Sequence, residues 1–182
     1  MSQSDSVLAA INERVSLRPY DPRWPRLFQV ERRRLMARFP GAFIDVLHIG
    51  STAVPGLQAK PVIDILAGVD SMVAADRMVE GICAAGYNTS AEFSATLTDR
   101  RWFMRCANGS RTHHLHVVVH GDLFWREHVQ FRDILRSNSV VAARYSQLKS
   151  DLASRHAEDR DAYTDAKTEF VRRTLNDGPN QA

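Results

Sequence analysis

The sequence predicts an α+β fold with a mixed β-sheet, packed helices and a helical C-terminal third. Hydrophobic residues first recur at helical spacing, between residues 24 and 39, and then occur in short β-branched runs between residues 43 and 119. Beyond residue 122 the chain is rich in Ala, Leu, Arg and Glu and fits two or three helices that run to about Leu175. Helices and strands arranged in this way, without strict alternation, are typical of α+β domains.

The helices and strands can be assigned in order along the chain. The turn at residues 20–25 contains two prolines and leads into a one-sided helix over 24–39, which Pro40-Gly41 ends. A second helix is expected over 72–85, closed by Gly86. The predicted strands span residues 43–49, 62–68, 87–93, 101–106 and 115–119. The last two are joined by a turn at Asn108-Gly109-Ser110.

One domain is expected over residues 15–175. A chain of 182 residues buries about 70% of its unfolded surface, so no disulfide or metal is needed for folding. No linker-like composition separates the helical third from the rest. Residues 1–14 lack a strong turn signal and residues 176–182 contain Gly, Pro and Asn, so both segments are expected to be flexible termini.

Composition and charge exclude several classes of protein. Hydrophobic residues make up 44% and charged residues 25% of the sequence, which fits a globular protein rather than a disordered or collagen-like chain. The net charge of +3 is small and the basic residues are spread out, so we do not expect a nucleic-acid-binding surface. The one consecutive basic run, Arg32 to Arg34, is interpreted as a solvated helix face, with phosphate contact as the alternative.

The cytoplasm is the expected compartment. No apolar run approaches the roughly 20 residues of a membrane span, and the longest is interrupted by Asp64. Residues 1–12 carry acids and no basic segment, which argues against a secretory signal. Cys83 and Cys106 have neither a metal-type spacing nor the partners of a disulfide framework.

The stretch from His48 to Ile65 is the first candidate site. A strand that ends in Gly50-Ser51 and turns toward a short helix presents free backbone N–H groups and a hydroxyl, which suits a phosphate. The alternative is that Ser51 only caps a helix. Asp64 interrupts the next apolar strand, and a carboxylate there needs a cation, a metal or several donors. We favour a functional role for Asp64 over simple pairing with an arginine.

The second candidate site is the run His113-His114-Leu115-His116-Val117-Val118-Val119-His120. On a strand, His114 and His116 share a face and lie roughly 7 Å apart, close enough to bind one metal or one substrate. His120 shares that face and His113 points the other way, and both are weaker candidates. Without an H-E-x-x-H or cysteine partner the zinc signal is weak, so the alternative is a polar sheet face.

Basic side chains supply candidate phosphate ligands. Lys149 and Lys167 each follow a tyrosine by four residues, Tyr145 and Tyr163, and therefore share a helix face with it. The candidates are Lys60, Lys149 and Lys167, together with Arg101 and Arg105, which alternate on a predicted strand. The alternative is that these lysines and arginines are solvated surface residues.

The sequence resembles the GrpB-like family of uncharacterised bacterial proteins from about Val15 to Thr174. The most specific segment is residues 48–57, with the sequence HIGSTAVPGL. The other matching segments are 20–24 (YDPRW), 60–65 (KPVIDI), 114–116 (HLH), 131–136 (FRDILR) and 163–167 (YTDAK).

The resemblance implies a nucleotidyltransferase-type sheet. In that superfamily a Gly-Ser turn is followed by an acid-x-acid pair on a strand, and a neighbouring strand adds a third acid. Gly50-Ser51 and Asp64 match the pattern, whereas Leu66 stands at the second acid position and His114 and His116 stand on the third strand. One carboxylate with two histidines makes a poor two-Mg²⁺ site and suits Mn²⁺ or Zn²⁺ better.

The expected function is therefore that of a nucleotidyltransferase-like enzyme, which binds a nucleoside triphosphate, above all ATP, and acts on an unknown small molecule. Gly50, Ser51 and Thr52 would hold the phosphates together with Lys60, Lys149 or Lys167, and the expected catalytic and metal-binding residues are Asp64, His114 and His116. Two alternatives stay open: a non-catalytic nucleotide-binding accessory module, and a mononuclear metal enzyme. Fusion of family members to dephospho-CoA kinase hints at a nucleotide-related role.

Overall fold

The computed structural model describes residues 3–90 and 96–177 and contains a four-stranded sheet. The strands are β1 (Asp45–Ile49), β2 (Ile63–Val69), β3 (Arg100–Ala107) and β4 (Ser110–Val119). The α-helices are α1 (Gln3–Ile11), α2 (Trp24–Arg38), α3 (Met72–Ala84), α4 (Leu123–Ser137), α5 (Ser139–Arg155), α6 (Arg160–Asp165) and α7 (Thr168–Asp177). Within the described ranges, no helix has the length and apolar character to cross a membrane.

The sheet is mixed, as predicted, with the strand order β1-β2-β4-β3. β1 runs antiparallel to β2, β2 runs parallel to β4, and β4 runs antiparallel to β3. The β3–β4 hairpin closes through Asn108 and Gly109, whose φ angles of +52° and +78° are those that a type I′ turn requires. The parallel pairing of the two central strands sets Asp64 beside His114.

The alternation of side chains gives the sheet two different faces. The first face packs against α2 and α3 and forms the main core, in which Ile65 and Leu115 are fully buried. The second face is covered by α4, where Trp125 packs on Leu66 and Val118. Asp64 and the even-numbered histidines of β4 lie on this second face, so the polar candidates sit beside a smaller apolar cluster.

Four of the five predicted strands are present as β1 to β4 with shifted ends, whereas the described part of the predicted strand over 87–93 forms no strand. β4 begins at Ser110, earlier than expected, because the polar residues after the turn pair across the hairpin with β3, as Arg111 does with Cys106. Of the short strand predicted over 87–93, Asn88 forms an isolated bridge with Met104, and residues 91–95 lie outside the described residues.

Part of the N-terminal segment packs on the β3–β4 hairpin. Residues 3–11 form α1, in which Ala10 is fully buried. The Arg111 guanidinium of β4 donates to the Ala10 carbonyl at 3.0 Å. Contacts of this kind hold a terminal helix against a domain.

The interpretation of Arg32 to Arg34 as a solvated face is wrong for two of the three residues. Arg32 Nε donates to the Val46 carbonyl at 3.1 Å, and Arg34 forms a bidentate ion pair with the buried Glu31. Only Arg33 is exposed. The helical pattern correctly predicts that the run lies on α2. It does not reveal that Arg32 contacts the edge strand β1 or that Arg34 contacts a buried glutamate.

The structure does not bring Arg101 and Arg105 together with Asp64, because both arginines lie on the first sheet face. Arg105 donates to Glu31 at 2.8 Å, and Arg101 pairs with Asp76 of α3 at 2.5 Å. Both arginines therefore tie β3 to the helices that cover the main core.

Candidate functional site

The turn after β1 places its backbone against Asp64. Gly50 has a φ of +70°, and a Cβ atom at this position would overlap the Asp64 carboxylate. Only glycine has both the left-handed freedom and the lack of a side chain that this close approach needs. Ser51 is the first residue of a short 3-10 turn, whose N-cap position is taken by Gly50. The helix-capping alternative for Ser51 is therefore wrong.

The Ser51 hydroxyl is instead contacted by a lysine from α5. Lys149 Nζ donates to Ser51 Oγ at 3.0 Å and also to the Gln58 carbonyl. Its side chain is 2% exposed, and burial, together with the charge of Lys167, lowers the pKa of Lys149 to about 7. A buried lysine is rare unless it has partners, and here the partners belong to the Gly-Ser turn.

Two further lysines converge on the same region. The Lys167 ammonium lies 4.3 Å and the Lys60 ammonium 5.1 Å from the centre of the buried Tyr163 ring. Burial lowers the pKa of Lys167 to about 8, and the charge of Asp64 partly opposes this shift. The sequence contains 24 basic residues, yet Lys60, Lys149 and Lys167 are its only lysines. Every lysine of the chain thus lies near the Gly50-Ser51 turn or Asp64.

Asp64 and His114 form a hydrogen-bonded pair across the parallel strands. His114 Nδ1 lies 2.9 Å from Asp64 Oδ1. Burial disfavours the charged carboxylate, but the His114 hydrogen bond, together with the electrostatic effects of His114, His116 and Lys60, outweighs burial and lowers the pKa of Asp64 to about 2. For His114, burial outweighs the hydrogen bond and the charge of Asp64 and lowers the pKa, which favours the neutral imidazole. Because an ionised carboxylate only accepts, Nδ1 of His114 carries the proton.

His116 lies next to α4 rather than next to Asp64. Its register partner on β2 is Leu66, and its ring centre lies 5.7 Å from that of Phe124 and 6.3 Å from that of His128. Burial lowers the pKa of His116 to about 3. The structure therefore groups His116 with aromatic residues of α4.

The weaker histidine candidates lie elsewhere, as the sequence indicated. His113 is on the first face, where burial lowers its pKa to about 4 and the charge of Glu31 opposes that shift. His120 packs on the Trp125 ring, with 4.5 Å between the ring centres. Thr52 is fully buried, and its hydroxyl is engaged by His48 Nε2 and the Val62 carbonyl, so it is not brought to the Ser51 side of the turn.

The predicted set of metal ligands is not assembled. Among the described residues, no three His, Cys, Asp or Glu side chains are grouped so that they could hold a metal ion. His114 uses Nδ1 on Asp64, which turns its other nitrogen away from that carboxylate. Asp64 alone could still share a cation that arrives with a phosphate, as Mg²⁺ does in many phosphate sites. The use of a metal stays a prediction.

Sequence reasoning missed the residues that hold the turn from α4. Arg132 donates to the His48 carbonyl at 3.1 Å and Arg136 donates to the Ala53 carbonyl at 2.9 Å. The His48 carbonyl lies before the Gly50-Ser51 turn in the chain and the Ala53 carbonyl lies after it, so the two arginines hold the turn at both ends. The spacing of four residues on one helix was the available signal. Their targets are backbone carbonyls, which no sequence motif reveals.

A family model, a relative in sequence and a solved structure all match this chain to the same protein family. The GrpB protein family model matches residues 14–177. The glutamate-rich protein GrpB of Alkalihalophilus pseudofirmus is 36% identical over 171 residues, which cover 90% of this chain and 95% of that protein. The crystal structure of conserved protein GrpB from Enterococcus faecalis has a TM-score of 0.73 and 31% identity, with 87% of this chain and 98% of that chain covered.

Some relatives are much longer than this chain. UPF0157 protein YqkA of Bacillus subtilis is 35% identical over 153 residues, which cover 84% of this chain but 44% of that protein. A dephospho-CoA kinase of Mycolicibacterium paratuberculosis is 32% identical over 180 residues, with 87% of this chain and 44% of that protein covered. The chain thus spans less than half the length of these two relatives.

Proposed function

Because the chain belongs to the GrpB family, whose members share a nucleotidyltransferase-like fold, we propose that it binds the phosphate chain of a nucleoside triphosphate at the Gly50-Ser51 turn. The observation that carries the proposal is the convergence of all three lysines of the sequence on this turn and on Asp64. Ser51 and the backbone of the turn would donate to phosphate oxygens, and Lys149 and Lys167 would offset their charge.

The reaction that fits such a site is nucleotidyl transfer to a small molecule. An oxygen or nitrogen of the acceptor forms a bond to the α-phosphorus, the bond to the bridging oxygen breaks, pyrophosphate leaves, and the acceptor proton passes to solvent. Asp64 would be the one protein carboxylate for a divalent cation, whose role would be to neutralise phosphate charge. ATP is the proposed triphosphate.

A second candidate function is nucleotide binding without catalysis. Leu66 stands where the superfamily pattern has its second acid, and this leucine is fully buried against Trp125 and Val118. An apolar residue at that place cannot help to hold a second metal ion. A binding module, such as one that serves a fused kinase domain, would keep the phosphate site and lack turnover.

The test is calorimetric titration with ATP, GTP, CTP and UTP, each with Mg²⁺ and with a chelator. We expect ATP to bind the wild type and Lys149→Met to weaken that binding at least about tenfold, since hydrogen bonds to charged groups contribute about 1.5–3 kcal/mol. Ser51→Ala should also weaken it. Arg77→Gln, which removes one exposed positive charge from α3 on the other side of the sheet, is the matched control.

Equal binding by the wild type and Lys149→Met, or no binding of any triphosphate, would refute the phosphate site. Release of pyrophosphate in the presence of candidate acceptors then separates the two functions. Turnover supports the transferase, whereas tight binding without turnover supports the accessory module.

A further inference from the structure

Buried polar atoms without partners occur together on the second face of the sheet, on β4, which pairs with the strand of Asp64, and on its neighbour β3. Over residues 3–90 and 96–177, three buried side-chain nitrogens have no hydrogen-bond partner: His114 Nε2, His116 Nδ1 and Arg100 Nε. All three belong to the adjacent strands β3 and β4 and to the second sheet face. Because a buried polar atom without a partner costs free energy, native proteins keep few of them. Three on one patch call for a functional explanation.

Aromatic rings pack against the three residues that carry these nitrogens. The guanidinium carbon of Arg100 lies 4.7 Å from the centre of the Phe124 ring, and the His116 ring packs on the same phenylalanine. On the other side, the Trp102 ring lies 5.3 Å from that of His114. We call these five residues (Arg100, Trp102, His114, His116 and Phe124) the histidine–arginine cluster. It combines planar apolar surfaces with a few polar atoms, the usual composition of a small-molecule site.

The hydrogen-bonding capacity of the cluster defines what it would bind. His114 donates its Nδ1–H to Asp64, and in the neutral imidazole the remaining Nε2 atom is a lone-pair acceptor that needs a donor. Arg100 donates from Nη1 to Asp99 at 3.0 Å, but its Nε atom, which is a donor only, still needs an acceptor. A complementary ligand therefore carries a hydroxyl or amino hydrogen at one end and an anionic oxygen at the other.

We propose that the histidine–arginine cluster binds the second substrate of the protein, a small hydroxy- or amino-substituted molecule with an anionic oxygen. The assignment as second substrate rests on the proposed nucleotide site, because Asp64 lies between that site and His114. The hydroxyl or amino group that meets His114 is then the group nearest to the phosphate chain. Binding to the cluster itself does not depend on the nucleotide.

The first test uses matched ligand pairs without nucleotide. Thermal unfolding is measured with lactate against propionate, with serine against alanine, and with phosphoethanolamine as the phosphate-bearing form. We expect lactate to raise the unfolding temperature more than propionate, because only lactate has a hydroxyl for His114, and serine to exceed alanine. Comparison of the carboxylate ligands with phosphoethanolamine shows whether Arg100 binds a carboxylate or a phosphate. No difference within either pair and no effect of phosphoethanolamine would overturn the proposal.

The second test asks whether the atoms without partners serve folding. His116→Phe removes such an atom and keeps most of the side-chain volume, so we expect the unfolding temperature to stay level or rise by about 2–4 °C, and the ligand effect to disappear. Arg100→Met should also abolish the ligand effect, but it removes the ion pair with Asp99 as well and is therefore left out of the stability comparison. His128→Phe is the matched control, because His128 Nδ1 has a partner, the Phe124 carbonyl at 2.8 Å. It should lower the unfolding temperature.

A loss of stability in His116→Phe equal to that in His128→Phe would overturn the proposal, since it would show that the His116 nitrogen has a structural partner. The results of these tests and of the nucleotide titration separate the failure of the cluster from the failure of the proposed phosphate site. If serine or lactate binds and no triphosphate does, the cluster stands as a ligand site and the proposed phosphate site fails. If ATP binds and none of the probes does, the phosphate site stands and the cluster fails.

Discussion

Gly50 shows how a single residue sets the position of Asp64. The carboxylate fills the space that a side chain at residue 50 would occupy, and the backbone there is left-handed. The sequence motif marks the glycine as part of a phosphate-binding turn, but the motif does not reveal that the nearest neighbour is an acid from the next strand. One carboxylate oxygen of Asp64 lies against Gly50, and the other accepts the hydrogen bond from His114.

Replacement of Gly50 by alanine tests this contact. We expect Gly50→Ala to lower the free energy of unfolding by about 1–3 kcal/mol, because a left-handed non-glycine residue is strained and its Cβ must push Asp64 aside. Chemical denaturation measures the change. Gly41→Ala is the matched control, since Gly41 also has a positive φ of +73° but has open space where its Cβ would stand. A loss no larger than that of Gly41→Ala would show that the contact with Asp64 contributes nothing.

At the scale of secondary structure, a buried carboxylate ties α2 to β3 and to the segment after α3. Glu31 is 3% exposed and accepts hydrogen bonds from Arg34, Arg105 and the Tyr87 hydroxyl. Burial disfavours its charged form, but these hydrogen bonds prevail and lower the pKa of Glu31 below its usual value. The network lies on the first face of the sheet, opposite the candidate site, so its role is to hold the scaffold.

Glu31→Gln should therefore destabilise the protein without affecting the site. We expect a loss of about 3 kcal/mol in the free energy of unfolding at pH 7, because two arginines lose the carboxylate that compensates them. The loss should shrink as the pH falls below about 4.5, since the stabilisation by a carboxylate with a lowered pKa is present above its unfolded-state pKa and vanishes on protonation. Urea denaturation at pH 7 and pH 3.5 measures both. An equal loss at the two pH values would contradict the assignment.

At the scale of the whole molecule, the fold brings lysines from three distant segments to one turn. Lys60 precedes β2, Lys149 belongs to α5, and Lys167 lies between α6 and α7. Desolvation in this shared environment lowers the pKa values of Lys149 and Lys167 to about 7 and about 8. A bound phosphate would restore the charged forms, so phosphate binding would take up protons.

This coupling predicts the pH dependence of nucleotide affinity. The free lysines lose their protons as the pH rises through about 7 for Lys149 and about 8 for Lys167, so from about pH 6.5 to about pH 9.5 the affinity for ATP should fall, by up to about tenfold per pH unit for each lysine that must be recharged. Calorimetry in buffers of different ionisation enthalpy measures both the affinity and the proton uptake. Lys149→Met should have the shallower dependence. An affinity that is constant over this range would refute the role of the lysines.

Much of this arrangement could be predicted from local sequence patterns. Short apolar, β-branched runs predicted β1, β2 and β4, and the Gly-Ser motif predicted the turn. The spacing of four residues from Tyr145 and Tyr163 brought Lys149 and Lys167 into consideration, although they are remote from the turn in sequence. What could not be predicted depends on contacts between distant segments. Examples are the partner of Glu31, the backbone targets of Arg132 and Arg136, and the grouping of Arg100 with His116.

Because the lysines all lie in one region, reagents that modify lysine side chains can react only there. Within this sequence, acylation of a lysine side chain can occur at only three positions, and all three surround the Gly50-Ser51 turn or Asp64. The lowered pKa of Lys167 makes more of its amine neutral, and therefore nucleophilic, near neutral pH. Acylation at these side chains and binding of a phosphate would compete for the same nitrogen atoms. A peptide map of lysine modification is thus a direct record of whether this one site is open or occupied.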